Sequence, residues 1–485
     1  MPTLDRRWTQ PVLWGALALG LAARLYLALG DDGIYWPDEV YQSLEPAHRL
    51  VYGYGLVAWE FVDGARNWAL PGLVAGLLKL CQWVGLDEPR QYLGVVKGLF
   101  ALCGAATAYG TYRLARASGA DEPSAGVTGA ACALAAPLIY FSPRAMSETA
   151  SALPVVLGLA LALERRAPRW KLVLGASLLG AAVLLRLQSG LFCVGLLGVL
   201  AARKEWRPAL TSLCVFAVWA AAFGLLDHLT WADAPGAQWG GWFHSALKYL
   251  QFNLVEDRSK AWGTSDAGYY AKHLFLSMPA LAVLTGLLAV ASFRRAAGLA
   301  LMAAAFLAMH HWVGHKELRF LYPVLPVLFA LAGVGLSSLP TRVAQIALPA
   351  TLAAALWSGA GFHSLTMGDV GQYPDRPQSS AYDDFGPVNR MLLAAHDRAD
   401  LCGVRVDVAH LAWSGGSTYL HRPVPLYHLG QPPLELRLFN YLVTFDQPRL
   451  PGEIVFRDSR SPSVVLVRLP QGGCATEPGY RWRLP

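Results

Sequence analysis

The chain has 485 residues, of which 54% are hydrophobic and 15% charged, with 40 basic against 33 acidic side chains. Soluble chains carry roughly 25% charged residues. At a mean hydropathy of +0.35 there is too little charge to cover a water-facing surface, so a soluble multidomain protein is excluded, as are collagen-like, low-complexity and disulfide-rich classes.

Apolar runs long enough to read as spanning helices fall, in chain order, at 11–29, 92–112, 125–141, 148–163, 171–186, 189–202, 208–226, 273–291, 297–313, 319–337 and 344–362. These eleven candidates predict a polytopic, all-α membrane domain over residues 1–362. Basic clusters test the topology. Arg6–Arg7, Arg113 with Arg116, Arg165–Arg166 with Arg169 and Lys171, Arg203–Lys204 with Arg207, Arg294–Arg295, and Arg342 lie in alternate gaps. Eleven crossings bring all six to one side, as the positive-inside rule requires. The N-terminus is thus expected in the cytoplasm and the C-terminus outside, with the first run a retained span and not a cleaved signal.

The remaining gaps then face outward: 30–91, 142–147, a tight turn at 186–189, 227–272, 314–318 and the tail from 363. Within the first, the apolar 70–84 stretch lacks basic cytoplasmic flanks and reads as a re-entrant or interfacial segment; as a true crossing it would invert every later loop. The 123-residue tail, 363–485, balances twelve acids against twelve arginines and has no lysine. Alternating patterns at 404–408, 441–445 and 463–469 predict strands and 392–399 a helix, giving a small extracytoplasmic α/β domain. Cys81, Cys103, Cys132, Cys193 and Cys214 sit in apolar segments and read as packing residues. Cys402 and Cys474 in the tail either pair, in an oxidising compartment, or stay free.

Polar residues concentrate at two places. The first is Tyr35-Trp36-Pro37-Asp38-Glu39-Val40-Tyr41-Gln42-Ser43-Leu44-Glu45 in the first outer loop. A helix from Pro37 would set Val40, Leu44, Ala47 and Val51 on one stripe and Asp38, Gln42, Glu45 and Arg49 on the other, lying in the interface plane with its carboxylates above the hydrocarbon. Trp59-Glu60 and Arg66 add an acid and a guanidinium in the same loop. The second is Gly314-His315-Lys316-Glu317-Leu318-Arg319-Phe320-Leu321-Tyr322. Ionisable residues at membrane depth are rare and functional by default. On a helix His315, Arg319 and Tyr322 share a face beside Lys316, a set suited to an anionic group on a lipid, such as a phosphate.

Lys97 stands near the outer end of its span, where the charge rule asks for none. Arg186 with Gln188, and Arg144 with Ser147 and Glu148, occupy outer loop edges, where each reads equally as helix anchor or ligand. Arg24, inside the first span, is expected to face the bundle interior. The 227–272 loop ends in a Gly- and aromatic-rich stretch, 262–270, fit for a binding loop.

These motifs in this order resemble the GT-C superfamily of polytopic glycosyltransferases, and within it the family 22 mannosyltransferases of GPI-anchor and N-glycan assembly. The resemblance rests on Pro37-Asp38-Glu39 with Gln42 and Glu45, Trp59-Glu60 followed by Arg66, Asn253 with Gly263-Thr264 before Tyr270, and His315-Lys316-Glu317 with Arg319-Phe320. The chain departs from the family pattern at Trp36, where a histidine usually precedes the Asp-Glu pair. It departs again in the tail, where His410 and Ser414-Gly415-Gly416-Ser417 stand in place of a Cys-His-Ser/Thr-Pro stretch.

The resemblance implies inverting transfer of a sugar, mannose by family precedent, from a polyprenyl-phosphate donor to a glycan or glycolipid hydroxyl on the outer face of the bilayer. A lipid phosphate leaves readily, so one carboxylate suffices to deprotonate the acceptor; Asp38 is expected as that base, with Glu39 in reserve. His315, Lys316 and Arg319, with Arg66 and Lys97, are expected to hold the donor phosphate. Gln42, Glu45, Trp59, Glu60, Asn253, Gly263, Thr264, Tyr270, Glu317 and Tyr322 are expected to line the substrates. No cofactor and no metal is expected, although Asp38 and Glu39 together could hold a divalent ion, and no nucleic-acid partner. The competing readings are another lipid-linked sugar on the same scaffold, and a lipid or glycan transporter, which the lack of an internal repeat disfavours.

Overall fold

Long Leu/Ala/Val runs, punctuated by proline, dictate a chain of helices that bend or break where a backbone N–H is lost. A computed structural model describes residues 6–165, 168–364, 382–430, 435–448, 450–475 and 477–484. Arg166 and the first part of the expected tail domain, 365–381, lie outside these residues. Trp8–Gly30, Pro89–Ala117, Trp206–Trp231 and Thr341–Ala360 are each long and apolar enough to cross a membrane, and Pro279–Ala291 with Phe293–Trp312 pass together, bent by 116°.

Other expected spans are shorter or broken. The 125–141 segment is two helices, Glu122–Leu134 and Ala136–Phe141, split at Ala135, where Pro137 opens the second. The 273–291 segment breaks between Tyr269–Ser277 and Pro279–Ala291 at Met278, which precedes a proline and is driven out of the helical region (φ −154°, ψ 67°). The 319–337 segment opens in a 3₁₀ turn, Leu318–Leu321, and becomes α-helical only at Leu325.

The chain divides into two compact units, Met1–Ala28 with Gly98–Gln378, and Leu29–Lys97 with Ser379–Pro485. This differs from the single boundary expected at 362/363: the first loop folds with the tail. In the helical unit, Ser147–Leu163 packs along Arg169–Leu185. A side chain on Gly158 would come within 2.8 Å of the Gly175 carbonyl, so only glycine permits this approach. Arg24 is buried as expected, donating to Ser142 Oγ at 3.1 Å and to the Gly20 and Ala133 carbonyls at 2.9 and 2.7 Å.

The second unit is built on a five-stranded sheet ordered β2-β1-β3-β5-β4. The strands are β1 Val404–Val406, β2 Leu426–His428, β3 Tyr441–Phe445, β4 Glu453–Arg457 and β5 Val464–Arg468. The first three run parallel, and β5 is antiparallel to β3 and β4. The Gly386–His396 helix covers one face, and Tyr427, Phe439, Leu442, Val465 and Val467 fill a core cluster. Cys402 and Cys474 are disulfide-bonded, tying the entry of β1 to the chain beyond β5.

The first loop completes this unit. The Ala69–Trp83 stretch, expected as re-entrant or interfacial, is an α-helix of 15 residues, about 22 Å at 1.5 Å per residue and so shorter than a hydrocarbon core of about 30 Å. Leu70, Val74, Leu78 and Cys81 pack inward, while Leu73, Leu80 and Trp83 are exposed. Backbone pairing fastens the loop to the tail: Ile34 N donates to Asp384 O (2.8 Å), Val57 N to Trp482 O (2.9 Å) and Leu484 N to Val57 O (3.0 Å). Arg390 is buried among Asp383 and Asp458, both at 2.6 Å, and Asp32 at 3.5 Å.

Candidate functional site

The acidic cluster belongs to the second unit. Its helix begins at Pro37, whose carbonyl accepts from Tyr41 N at 2.9 Å, but Val40–Leu44 is a π-turn. One extra residue per turn rotates everything after it by about 100°. Glu45, expected on the stripe of Asp38 and Gln42, is thereby carried to the buried side. Its carboxylate accepts from Leu56 N (2.7 Å), Ser417 N (2.9 Å), Thr418 N (2.8 Å) and Thr418 Oγ1 (2.6 Å). Gly416 has φ +55°, and a Cβ there would lie 3.0 Å from the Glu45 carboxylate, so glycine is needed on both counts. Glu45, expected to line the substrates, thus fastens the first loop to the tail through these bonds.

Asp38 and Glu39 separate in the same turn. Glu39 is buried and accepts from Tyr35 N at 3.2 Å, whereas Asp38 is half-exposed. Glu60, at the start of the Trp59–Asp63 helix, is buried and accepts from Gln42 Nε2 at 2.8 Å. Burial, then the neighbouring Asp38 charge, push its carboxyl up to about 7 against the pull of Arg66 and Gln42. Gln42, Glu60, Arg66 and Asp38 thus form one electrostatic group. Trp59 and Arg66 are half-buried. Lys97 is committed elsewhere, donating to Asp31 O at 2.8 Å with its ammonium 5.8 Å from the Tyr419 ring centroid.

The cationic cluster belongs to the helical unit. Residues 313–317 are not helical, and Glu317 is extended (φ −137°, ψ 143°). The shared helical face expected for His315, Arg319 and Tyr322 does not form; Tyr322 is buried near Phe141, with ring centroids 6.4 Å apart. Instead the 314–316 segment pairs with 263–265. Ser265 N donates to Gly314 O (3.0 Å), Lys316 Nζ to Ser265 O (3.0 Å) and His315 Nδ1 to Gly263 O (3.2 Å). Gly314 leaves room for Lys260 and Thr264 beside it. Tyr270 is buried, and Asn253 turns its amide onto Tyr249 O at 2.9 Å within its own helix.

Both His315 nitrogens face acceptors, the second being Glu317 Oε1 at 3.0 Å, an arrangement only the imidazolium satisfies. Burial pulls the His315 pKa down, but the bond and charge of Glu317 outweigh it and the net shift is upward. Arg319 grips Glu317 with two nitrogens, at 2.6 and 3.0 Å, and reaches Glu148 at 3.4 Å. Glu148 in turn binds Arg186 at 2.6 Å. Arg186 also donates to Ser147 Oγ (3.2 Å), and its Nε has no hydrogen-bond partner among the described residues.

Charges alternate along this buried chain: His315, Glu317, Arg319, Glu148, Arg186. Lys316 and Arg144 are buried too, the latter over the Tyr140 ring at 4.3 Å. Five buried cationic side chains thus gather in this unit, a set suited to an anionic group. Arg186 and Glu148 read in the sequence only as helix anchors or ligands, and their one signal was charge at the edge of an apolar run. Gln188 instead binds the Tyr249 hydroxyl.

Comparison with known proteins fits these features. Residues 16–389 match the Alg9-like mannosyltransferase family. GPI mannosyltransferase 3 of Yarrowia lipolytica is 29% identical over 413 residues, covering 81% of this chain and 76% of the relative. The Schizosaccharomyces pombe GPI mannosyltransferase 3 is 26% identical, covering 67% and 68%. Among solved structures, ArnT of Cupriavidus metallidurans bound to undecaprenyl phosphate superposes with a TM-score of 0.61 at 15% identity, covering 96% of this chain and 99% of that one. AglB of Archaeoglobus fulgidus, in complex with an inhibitory peptide and a dolichol-phosphate, gives 0.55 at 12% identity, covering 90% and 69%.

Fold and motifs together define an integral membrane glycosyltransferase of the GT-C type. More particularly, the chain belongs to the Alg9-like mannosyltransferase family.

Proposed function

We propose that this enzyme transfers mannose, with inversion, from a polyprenyl-phosphate donor to a hydroxyl of a glycan or glycolipid on the extracytoplasmic face. The observation that carries the donor assignment is the gathering of the buried cationic side chains Arg319, Arg186, His315 and Lys316. Charge gathers on the phosphate as the glycosidic bond breaks, and preorganised cations in a water-poor site stabilise it. That ArnT was solved with undecaprenyl phosphate, and AglB with a dolichol-phosphate, supports a lipid phosphate. Asp38 acts as the base: its carboxylate is half-exposed, while Glu39 is buried against its own turn. The fixed cations supply the neutralisation a metal would give, so chelation by EDTA is expected to leave the rate unchanged. The basic residues in alternate gaps support the outward orientation.

The test is a reconstituted assay with polyprenyl-phosphomannose and a panel of glycan and glycolipid acceptors. Asp38→Asn is expected to abolish transfer while donor still binds. Arg319→Ala, which takes one cation from Glu317 and Glu148, is expected to weaken donor binding by about 2–5 kcal/mol. Near-normal turnover in Asp38→Asn would overturn the base, and transfer only from a different lipid-linked sugar would overturn the donor.

A further inference from the structure

Two tryptophans from distant stretches of the chain meet in the second unit: Trp36, just ahead of Asp38-Glu39, and Trp413, which immediately precedes the Ser414-Gly415-Gly416-Ser417 run. The two indoles pack edge to face, with centroids 5.3 Å apart and planes at 87°. Phe385 stacks on Trp413 at 4.8 Å and 20°. All three rings are half-exposed.

The backbone holds this group firmly. Trp413 closes a short 3₁₀ turn, its N–H donating to His410 O at 2.9 Å, and Tyr41 Oη reaches from the π-turn to Leu411 O at 2.6 Å. Phe385 has φ +57°, a left-handed conformation that costs a bulky residue of order 1–3 kcal/mol. Strain of that kind is kept where the fold has a use for the side chain's position.

We propose that Trp36, Trp413 and Phe385 form a stacking platform for a hexopyranose ring of the acceptor. Trp36 is two residues from Asp38, at most about 7 Å of chain, so a sugar seated on it presents its hydroxyls in reach of the proposed base. The C–H faces of a pyranose are apolar and its rim is all hydroxyl, and the platform mirrors this. Two residues along from Trp36 stands Asp38, an acceptor suited to sugar hydroxyls and a poor neighbour for a lipid chain. The platform rests on the reading of Asp38 as base, but it can be tested apart from turnover.

The experiment is saturation-transfer NMR on the full chain in nanodiscs, with octyl α-D-mannopyranoside as probe. The platform predicts that saturation falls on the mannose ring protons in the wild type and in Asp38→Asn. Trp413→Leu, which keeps apolar bulk, is expected to lose this signal at least fivefold, and Trp413→Phe to retain most of it. In the transfer assay, Trp413→Leu raises the acceptor KM about tenfold and leaves the donor KM unchanged. Ring saturation without mannose transfer from any donor would sink the proposed reaction and uphold the platform. Saturation confined to the octyl chain, or unchanged in both Trp413→Leu and Trp36→Leu, would overturn the platform.

Discussion

A carboxylate's task follows from what its oxygens touch, and the acids of the first loop show three outcomes within a few turns. Asp38 is half-buried, Glu39 accepts from Tyr35 N, and Glu60 is buried beside both a charge and an amide. The Glu60 carboxyl holds its proton to about pH 7, against an ordinary 4.5. Between those values the folded chain binds a proton that the unfolded chain has released, so this contribution to stability is complete below 4.5 and is lost as pH rises through 7. Glu60→Gln keeps the bond to Gln42 and never ionises. Its melting temperature is therefore expected to exceed the wild type's by a few degrees at pH 8 and to match it at pH 5. Equal melting temperatures at pH 8 would place the Glu60 pKa near its ordinary value.

Among elements, the π-turn at Val40–Leu44 has the widest consequences. It splits an apparently regular amphipathic stripe, leaving Asp38 and Gln42 on one side and sending Glu45 to three backbone N–H groups and a hydroxyl. Glu45→Ala would strand those donors in a buried site, at 1–3 kcal/mol or so for each left unmet. A loss of about 3 kcal/mol or more is expected, with faster proteolysis around 415–421; Glu45→Gln should recover part of it. Helices were legible from hydropathy because burial in lipid demands long apolar runs. The proline breaks at Ala135 and Met278 and the π-turn were not, since an apolar run reads the same across each. Strands β1, β3 and β5 carry a β-branched pattern, while β2 has three residues and β4 is a largely exposed edge, too weak a signal to read.

At the scale of the whole molecule, two histidines far apart in sequence link the first loop to the tail. His48 donates from Nδ1 to Tyr54 O (3.1 Å), so its Nε2 accepts from His421 Nδ1 at 2.9 Å, a pairing that requires a neutral His48. Burial holds both near 4, helped at His421 by the His48 and His396 charges. The unfolded chain takes up these protons first, so stability is full above 6.5 and falls as pH drops towards 4. Thermal unfolding across that window should show a steep loss of melting temperature, and His421→Gln should flatten it. A wild-type profile flat from pH 6.5 to 4 would contradict the paired neutral rings.

The sequence by itself determined the membrane character, the family and the two polar clusters, because hydropathy and short motifs are local properties. It also displayed Trp36 and Trp413, though not that they touch. Only the tertiary structure decided which acids are spent on backbone, that Arg186 and Glu148 extend the cationic chain, and that the first loop folds with the tail. Those outcomes depend on hydrogen bonds between residues hundreds apart in sequence, such as Glu45 with Thr418, and on a single inserted residue in one turn, neither of which a periodic pattern records.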